Sequence, residues 1–367
     1  MIARNSELRN LYKAKFFGVV IVVFFSLLLS ACGFSSASHG EQVLDNYQAR
    51  LENVFADISD AGEIQTQDFN TFSVPTLPQK PLVQAWQAQS SESIDILDFM
   101  SLYGCRLQET VAQANSSLGR VATASQRVLY LVRFLRDAPS CIAMLETEEK
   151  TELARIVKQE IEYKRQQFPY VSTAMLIEGD EFSSFWRLPK NLGSYPENTN
   201  LEPILALSSV VSLFKQWQSE NYVQTEQELE TMLFQINIGD GGALLSSFSL
   251  LNNRLEVLNS FLEGVLDSEQ ICVAGRHSSK ILQNVVQKYF VGEVQQWAAD
   301  LNRRQYALSE AMADLEGELA PMLSESYARW RKERTAVFQR NKALIQRHVL
   351  LIGKLINEEK LAVHCDR

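Results

Sequence analysis

Histidine, cysteine and proline are scarce: four, five and nine residues in a chain of 367. Few imidazoles and thiols leave little material for a metal or redox centre, and their spacing removes more. No two cysteines stand as C-x-x-C, the spacing of dithiol redox sites and zinc ribbons. No histidine falls in H-E-x-x-H. His277 and His364 flank two cysteines, so a two-histidine metal site there is conceivable. Solvated loop histidines are the better reading for His39, His277, His348 and His364. There is no G-x-S-x-G elbow, no S-x-x-K with partner motifs, no P-loop and no dinucleotide-binding glycine pattern. No cofactor and no catalytic constellation is implied. The acids of Glu178-Gly179-Asp180-Glu181 read as a surface turn, because paired-carboxylate hydrolysis needs a set separation that spacing alone does not supply.

A basic excess is also missing. The formal charge is −9. Residues 1–31 hold four basic residues and one acidic residue, so without them the charge moves to −12. Phosphate neutralisation needs a basic face, which argues against nucleic acid as a partner. Strand-like alternation is absent over any useful length, which leaves helices to build the fold.

What is present begins at the N-terminus. Arg4, Arg9, Lys13 and Lys15 precede an apolar run from Phe16 to Leu29, broken only by Gly18 and Ser26. The run has the length of a signal-peptide core and falls short of the roughly 20 residues a spanning helix needs. Leu29-Ser30-Ala31-Cys32 then resembles the lipobox of bacterial lipoproteins. That resemblance implies cleavage before Cys32 and acylation of its thiol and freed amine by chains such as palmitate. Two or three acyl chains anchor stably where one binds marginally. Gly33, rather than Asp, follows the cysteine, which in this class points to the outer membrane with the polypeptide facing the periplasm. The alternative is an uncleaved anchor in which Cys32 is incidental.

The expected organisation is a signal peptide over 1–31, an acylated cysteine and tether over 32–41, and one all-α domain over 42–367. A sub-division at 238–241 is conceivable. Val43, Tyr47, Leu51, Val54 and Ile58 give a first helix over Gln42 to Ile58. Pro75, Pro78 and Pro81 make 59–93 an extended crossing, pinned by Phe69, Phe72, Val74 and Leu77. A helix over Ile94 to Ala114 follows. Thr123-Ala124-Ser125-Gln126 is a capping box for a buried helix that Pro139 stops at Asp137. Glu146 to Gln167 is a charged outer helix, and Leu201 to Trp217 and Gln224 to Ile236 are two more. Leu244, Phe248, Leu251, Leu255, Leu258, Leu262 and Val265 form a heptad seam behind Gly239-Asp240-Gly241-Gly242. Two long helices, Ser278 to Leu319 and Met322 to Glu359, complete a bundle-like body of antiparallel hairpins.

Cys105, Cys141, Cys272 and Cys365 remain beyond Cys32. An even number in an oxidising compartment suggests two disulfides. Four cysteines allow three connectivities. An antiparallel helix pair brings Cys105 to Cys141, and the long hairpin brings Cys272 to Cys365. Four free buried thiols are the alternative.

The block Leu97-Asp98-Phe99, Cys105, Asn115-Ser116-Ser117-Leu118-Gly119, Ser125-Gln126-Arg127, Tyr130 and Cys141 resembles a family of bacterial lipoproteins known as a domain of unknown function (DUF3080-like). The resemblance implies an envelope lipoprotein and supplies no activity. Within the block, Asn115, Ser116 and Ser117 with Arg120 and Arg127 are the candidate ligand site, suited to an anionic group. The competing reading is a helix end with Gly119 as a left-handed cap, its arginines paired with acids. Two functions follow. One is a non-enzymatic lipoprotein that holds an envelope protein partner while anchored to the membrane. The other is an enzyme on cell wall or lipid with an unfamiliar site.

Overall fold

The structure is a computed structural model that describes residues 37–56, 72–86, 99, 102–222, 226–267 and 275–356, with side chains from residue 280 in the last stretch. It is all-α. Among the described residues the only strand-like feature is an isolated bridge between Val83 and Leu323. His39–Arg367 forms one compact unit.

The helices are α1 His39–Val54, α2 Arg106–Asn115, α3 Ser117–Arg120, α4 Ala124–Thr147, α5 Thr151–Ile177, α6 Asp180–Phe185, α7 Glu202–Gln218, α8 Glu226–Asn237 and α9 Gly241–Asp267. They continue with α10 Gly275–Val285, a π-helical stretch Val286–Val294, α11 Gln295–Leu319, a 3-10 turn Ala320–Met322 and α12 Glu325–Ile356. Gly292 lies inside the π-helical stretch, which interrupts the single long helix expected over Ser278 to Leu319.

The heptad reading of α9 holds: all seven seam residues are buried. The capping box of α4 is also present, with Thr123 Oγ1 accepting from Gln126 N and Thr123 N donating to Gln126 Oε1, each at 3.2 Å. The α4 helix is buried through Val128, Leu129, Leu131, Val132, Phe134 and Leu135. Pro139, however, does not stop it. The helix runs on to Thr147, with Ser140 Oγ donating to the carbonyl of Asp137 at 2.9 Å. Burial of Cys141 and Leu145 on the far side offsets the cost of the missing backbone donor. The expected outer helix is likewise longer, passes through Pro169, and buries its second half through Phe168, Met175, Leu176 and Ile177.

The long α12 packs most extensively against α9. Two successive heptads repeat one polar pattern between them. Asn252 Nδ2 donates to Val337 O at 2.8 Å, and Asn259 Nδ2 donates to Leu344 O at 3.1 Å. Asn252 Oδ1 accepts from Asn341 Nδ2 at 3.1 Å, and Asn259 Oδ1 bonds His348 Nδ1 at 2.7 Å. Outside these, Glu256 pairs with Arg340 and Glu263 with Arg347. Partners advance by seven residues together on both helices, so α9 and α12 run parallel in a single register.

The extended segment 72–86 straps the turn between α11 and α12. Gln84 N donates to Met322 O at 2.8 Å and Ser324 N donates to Leu82 O at 2.9 Å. Phe72, Val74 and Leu77 pack half-buried on the core, as the sequence suggested. Phe69 lies outside the described residues. Farther along, Asp240 accepts from Arg304 Nε at 2.9 Å and from the Tyr195 hydroxyl at 2.8 Å, while Arg304 Nη1 donates to Asn200 O at 2.6 Å. This joins the start of α7, the end of α8 and the middle of α11. Gly241 and Gly242 sit here because an added Cβ would meet Phe185 Cε1 at 2.3 Å and Arg187 O at 2.1 Å.

His348 corrects an expectation. It is not a solvated loop residue but a fully buried one on α12, with the Tyr47 hydroxyl at 2.7 Å from Nε2 and Phe290 against its ring. Asn259 turns its amide nitrogen to Leu344, so His348 Nδ1 carries the hydrogen and Nε2 accepts from Tyr47. Burial lowers its pKa from 6.5 to about 3. The imidazole must stay neutral in the fold, whereas the unfolded chain takes up a proton below pH 6.5. The stabilisation is therefore complete above 6.5 and falls as pH drops towards 3, by about 1.4 kcal/mol per pH unit. Urea midpoints measured from pH 7 to pH 4 should fall less steeply for His348→Gln than for wild type, by the equivalent of one proton. Equal slopes would contradict the buried neutral imidazole.

Candidate functional site

The best-built polar site lies between α11 and α12 near their connecting turn. Glu316 on α11 and Arg334 on α12 form a two-pronged ion pair, with Nη1 to Oε1 at 2.8 Å and Nη2 to Oε2 at 2.9 Å. Both side chains are about 95% shielded from solvent, at 6% and 5% exposure. The Tyr327 hydroxyl donates to Glu316 Oε1 at 2.8 Å. The guanidinium stands 4.9 Å from the ring centres of both Trp186 and Trp330, which adds cation–π attraction on a desolvated charge.

A cavity of about 290 Å³ opens beside this cluster, walled by Trp186, Leu308, Met312 and Phe338 with Gln305 and Thr335 among the polar groups. That is the low end of small-molecule pocket sizes, roughly 300–1,000 Å³. Trp186 is buried and its Nε1 has no hydrogen-bond partner among the described residues. The two bonds to Glu316 use two of the five guanidinium donors. Burial, then the nearby Glu316 charge, push the Tyr327 pKa well above its ordinary value, so it stays a donor. The arrangement offers donors, an aromatic wall and a neutralised charge pair.

The local sequence explains the placement. Tyr327, Arg334, Asn341, His348 and Leu355 are spaced by seven along α12 and are all buried. A polar residue at a heptad core position is the sequence signal that marks Arg334.

The candidate ligand site looks different. Asn115, Ser116, Ser117, Arg120 and Arg127 are exposed. Ser116 Oγ accepts from Gly119 N at 3.0 Å and so caps α3. Gly119 is not a left-handed cap. It lies within α3, where a Cβ would meet the carbonyl oxygens of Gln113 and Ala114 at 2.3 Å. Of the arginines further along α4, Arg133 pairs with Glu226 at 3.7 Å and also donates to Gln113 Oε1 at 3.0 Å, and Arg136 pairs with Asp137 at 2.9 Å. Ser125 donates to Glu230 at 2.6 Å, tying α4 to α8. Glu178 does more than occupy a turn: its Oε1 accepts from Leu82 N at 2.7 Å and Val83 N at 3.0 Å. Cys105 and Cys141 form a disulfide, with Cα atoms 5.3 Å apart. Cys272, Cys365, His277, His364, Cys32 and Leu29, Ser30 and Ala31 lie outside the described side chains. No group of three or more residues suited to hold a metal ion occurs among the described residues.

Breaking the buried pair leaves an uncompensated charge, whereas replacing both partners removes it. Arg334→Met should lower unfolding free energy by about 3–5 kcal/mol. Glu316→Leu in the same chain should restore much of that loss in chemical denaturation. Independent, additive losses would refute the coupling.

Residues 44–352 match the family described as "Protein of unknown function (DUF3080)". No curated protein and no solved structure matched. The matched span runs from α1 to α12 and takes in the disulfide, the polar ladder and the cleft, and the chain belongs to this family.

Proposed function

We propose that the protein is a bacterial envelope lipoprotein, anchored by acylated Cys32 in the outer membrane and facing the periplasm, with a holding role rather than a catalytic one. The observation that carries the reading is the Cys105–Cys141 disulfide. Disulfides persist in oxidising compartments, and the basic residues, apolar run and Leu29-Ser30-Ala31-Cys32 point to the same place. No helix among the described residues is long and apolar enough to cross a membrane.

The cleft supports holding. Glu316 already accepts from Arg334 and Tyr327, and Tyr327 is kept protonated. General acid–base chemistry needs a group free to exchange a proton within reach of substrate. What the cleft presents is hydrogen-bond donors and aromatic faces, which suit a small ligand or a partner's side chain. The envelope partner would be a protein held by the helical surfaces or this cleft. An enzyme on cell wall or lipid is the competing reading, and no feature of the cleft favours it.

Labelling cells with palmitate and fractionating their envelopes tests the anchor. The wild-type chain should carry label and float with outer membrane, and Cys32→Ala should lose both. A Cys32→Ala chain that still floats with outer membrane would overturn the anchor.

A further inference from the structure

Half of the large apolar side chains left exposed among the described residues gather at one region of the body. Leu201 and Leu205, one turn apart at the start of α7, are 56% and 60% exposed. Phe234 and Ile238, one turn apart at the end of α8, are 63% and 49% exposed. Ser209 and Gln216 of α7 face Thr231 and Gln227 of α8 across one groove. The two helices therefore run antiparallel, and the start of one lies beside the end of the other. Asp240, two residues past Ile238, binds Arg304, which in turn binds Asn200 O, one residue before Leu201. Leu118 and Val121 are also exposed, just before the α4 cap, and Ser125 of that cap bonds Glu230, one turn before Phe234.

The chain enters the compact unit at the same place. His39 N donates to Gly193 O at 2.7 Å. His39, Leu201, Trp297 and Arg303 line one cavity of about 400 Å³. Gly40 lies against Trp297, where a Cβ would meet the ring at 2.3 Å. His39 stands seven positions after Cys32, a reach of at most about 25 Å when fully extended. An acylated Cys32 would hold His39 within that distance of the lipid, with the Leu201 end of the apolar region beside it.

We infer that Leu118, Val121, Leu201, Leu205, Phe234 and Ile238 form a surface that docks on the phospholipid bilayer carrying the anchor. The inference rests on the anchor reading. The occupant is a lipid surface rather than a protein because the region begins beside the tether's point of entry, where His39 and Leu201 line one cavity. Apolar side chains insert at the headgroup–acyl boundary without a basic patch, which fits a chain whose net charge without residues 1–31 is −12. Binding of this kind is insensitive to salt, since no ion pair is screened.

The test uses the acylated full chain in phosphatidylcholine vesicles, with lipids brominated near the headgroup as a fluorescence quencher. Phe234→Trp adds a reporter in the docking surface. Tyr103→Trp adds one at an exposed site next to Gly104, which lies against Met144; Met144 is 19 residues along α4 from Ser125 and so about 28 Å from it. Both replaced residues are exposed, so the fold tolerates the change. Emission from Phe234→Trp should drop in brominated vesicles by more than wild type does, at low and high salt alike. Tyr103→Trp should match wild type. Failure of the wild-type chain to float with vesicles overturns the anchor and this docking with it. Flotation with no extra quenching of Phe234→Trp, or with equal quenching of Tyr103→Trp, overturns the docking alone. Lipid-free self-association of Cys32→Ala that Phe234→Ser abolishes assigns the surface to a second copy and also overturns it.

Discussion

The register between α9 and α12 is the constraint from which most of the structure follows. An apolar heptad seam alone tolerates sliding by a turn, because one leucine layer resembles the next. Asn252 and Asn259 remove that freedom. Each turns its amide nitrogen to a backbone carbonyl of α12 and its oxygen to a side chain one turn further on. A slip of one residue would bury these amides unpaired, at about 1–3 kcal/mol for each group left unsatisfied. Buried polar residues at core positions fix register in coiled coils at some cost in stability. Here the device appears twice, one heptad apart, with an outer ion pair beside each copy.

With that register set, the other polar clusters fall into place. α1 lies across the far heptad and supplies Tyr47 to His348, while Phe290 from the π-helical stretch closes over both rings. At the near end the same seven-residue spacing brings Arg334 opposite Glu316 and between two tryptophans. Trp186 reaches this point because α6 packs on the glycines that open α9. The strap over 72–86 then ties the α11–α12 turn to Glu178 at the end of α5. The cleft is thus lined by three stretches of the chain, Trp186 after α6 and facing parts of α11 and α12, and its geometry depends on the two long helices holding one position.

The parts of the fold legible in the sequence are those whose signal is local. The seam of α9, the Thr123 capping box and the Cys105–Cys141 pairing depend on spacing within one or two helices. The stop expected at Pro139 failed for a tertiary reason that also carries α5 through Pro169. Pro139 and Pro169 each remove one backbone donor, but the apolar residues beyond them gain more by burial than the helix loses. His348 was misjudged because histidines were weighed by motif rather than by position. It lies four residues after Leu344 and seven before Leu355, on the buried stripe. Glu178 and Glu316 carried no local signal, since their partners lie 95 and 18 residues away, whereas Arg334 is marked only by its place on the heptad stripe of α12. The π-helical stretch had none either, apart from Gly292 inside it.

Strongly perturbed titration usually marks a functional site, and here each instance has a structural cause. Tyr47, Tyr195 and Tyr327 all have pKa values raised chiefly by burial. Each hydroxyl donates to one partner in a separate polar cluster: His348, Asp240 or Glu316. Such a tyrosine cannot take a proton from a substrate without first breaking a bond that positions a helix. The same holds for His348, whose two ring nitrogens both have partners in the core. A cavity opens beside the Glu316–Arg334 cluster as one does beside Arg304, and what distinguishes the former is the two tryptophan rings on its guanidinium and the unpartnered Trp186 Nε1. Its aromatic wall and free donors suit recognition, and its engaged carboxylate and tyrosine do not suit proton transfer. That asymmetry is the physical reason for preferring a holding role over a catalytic one.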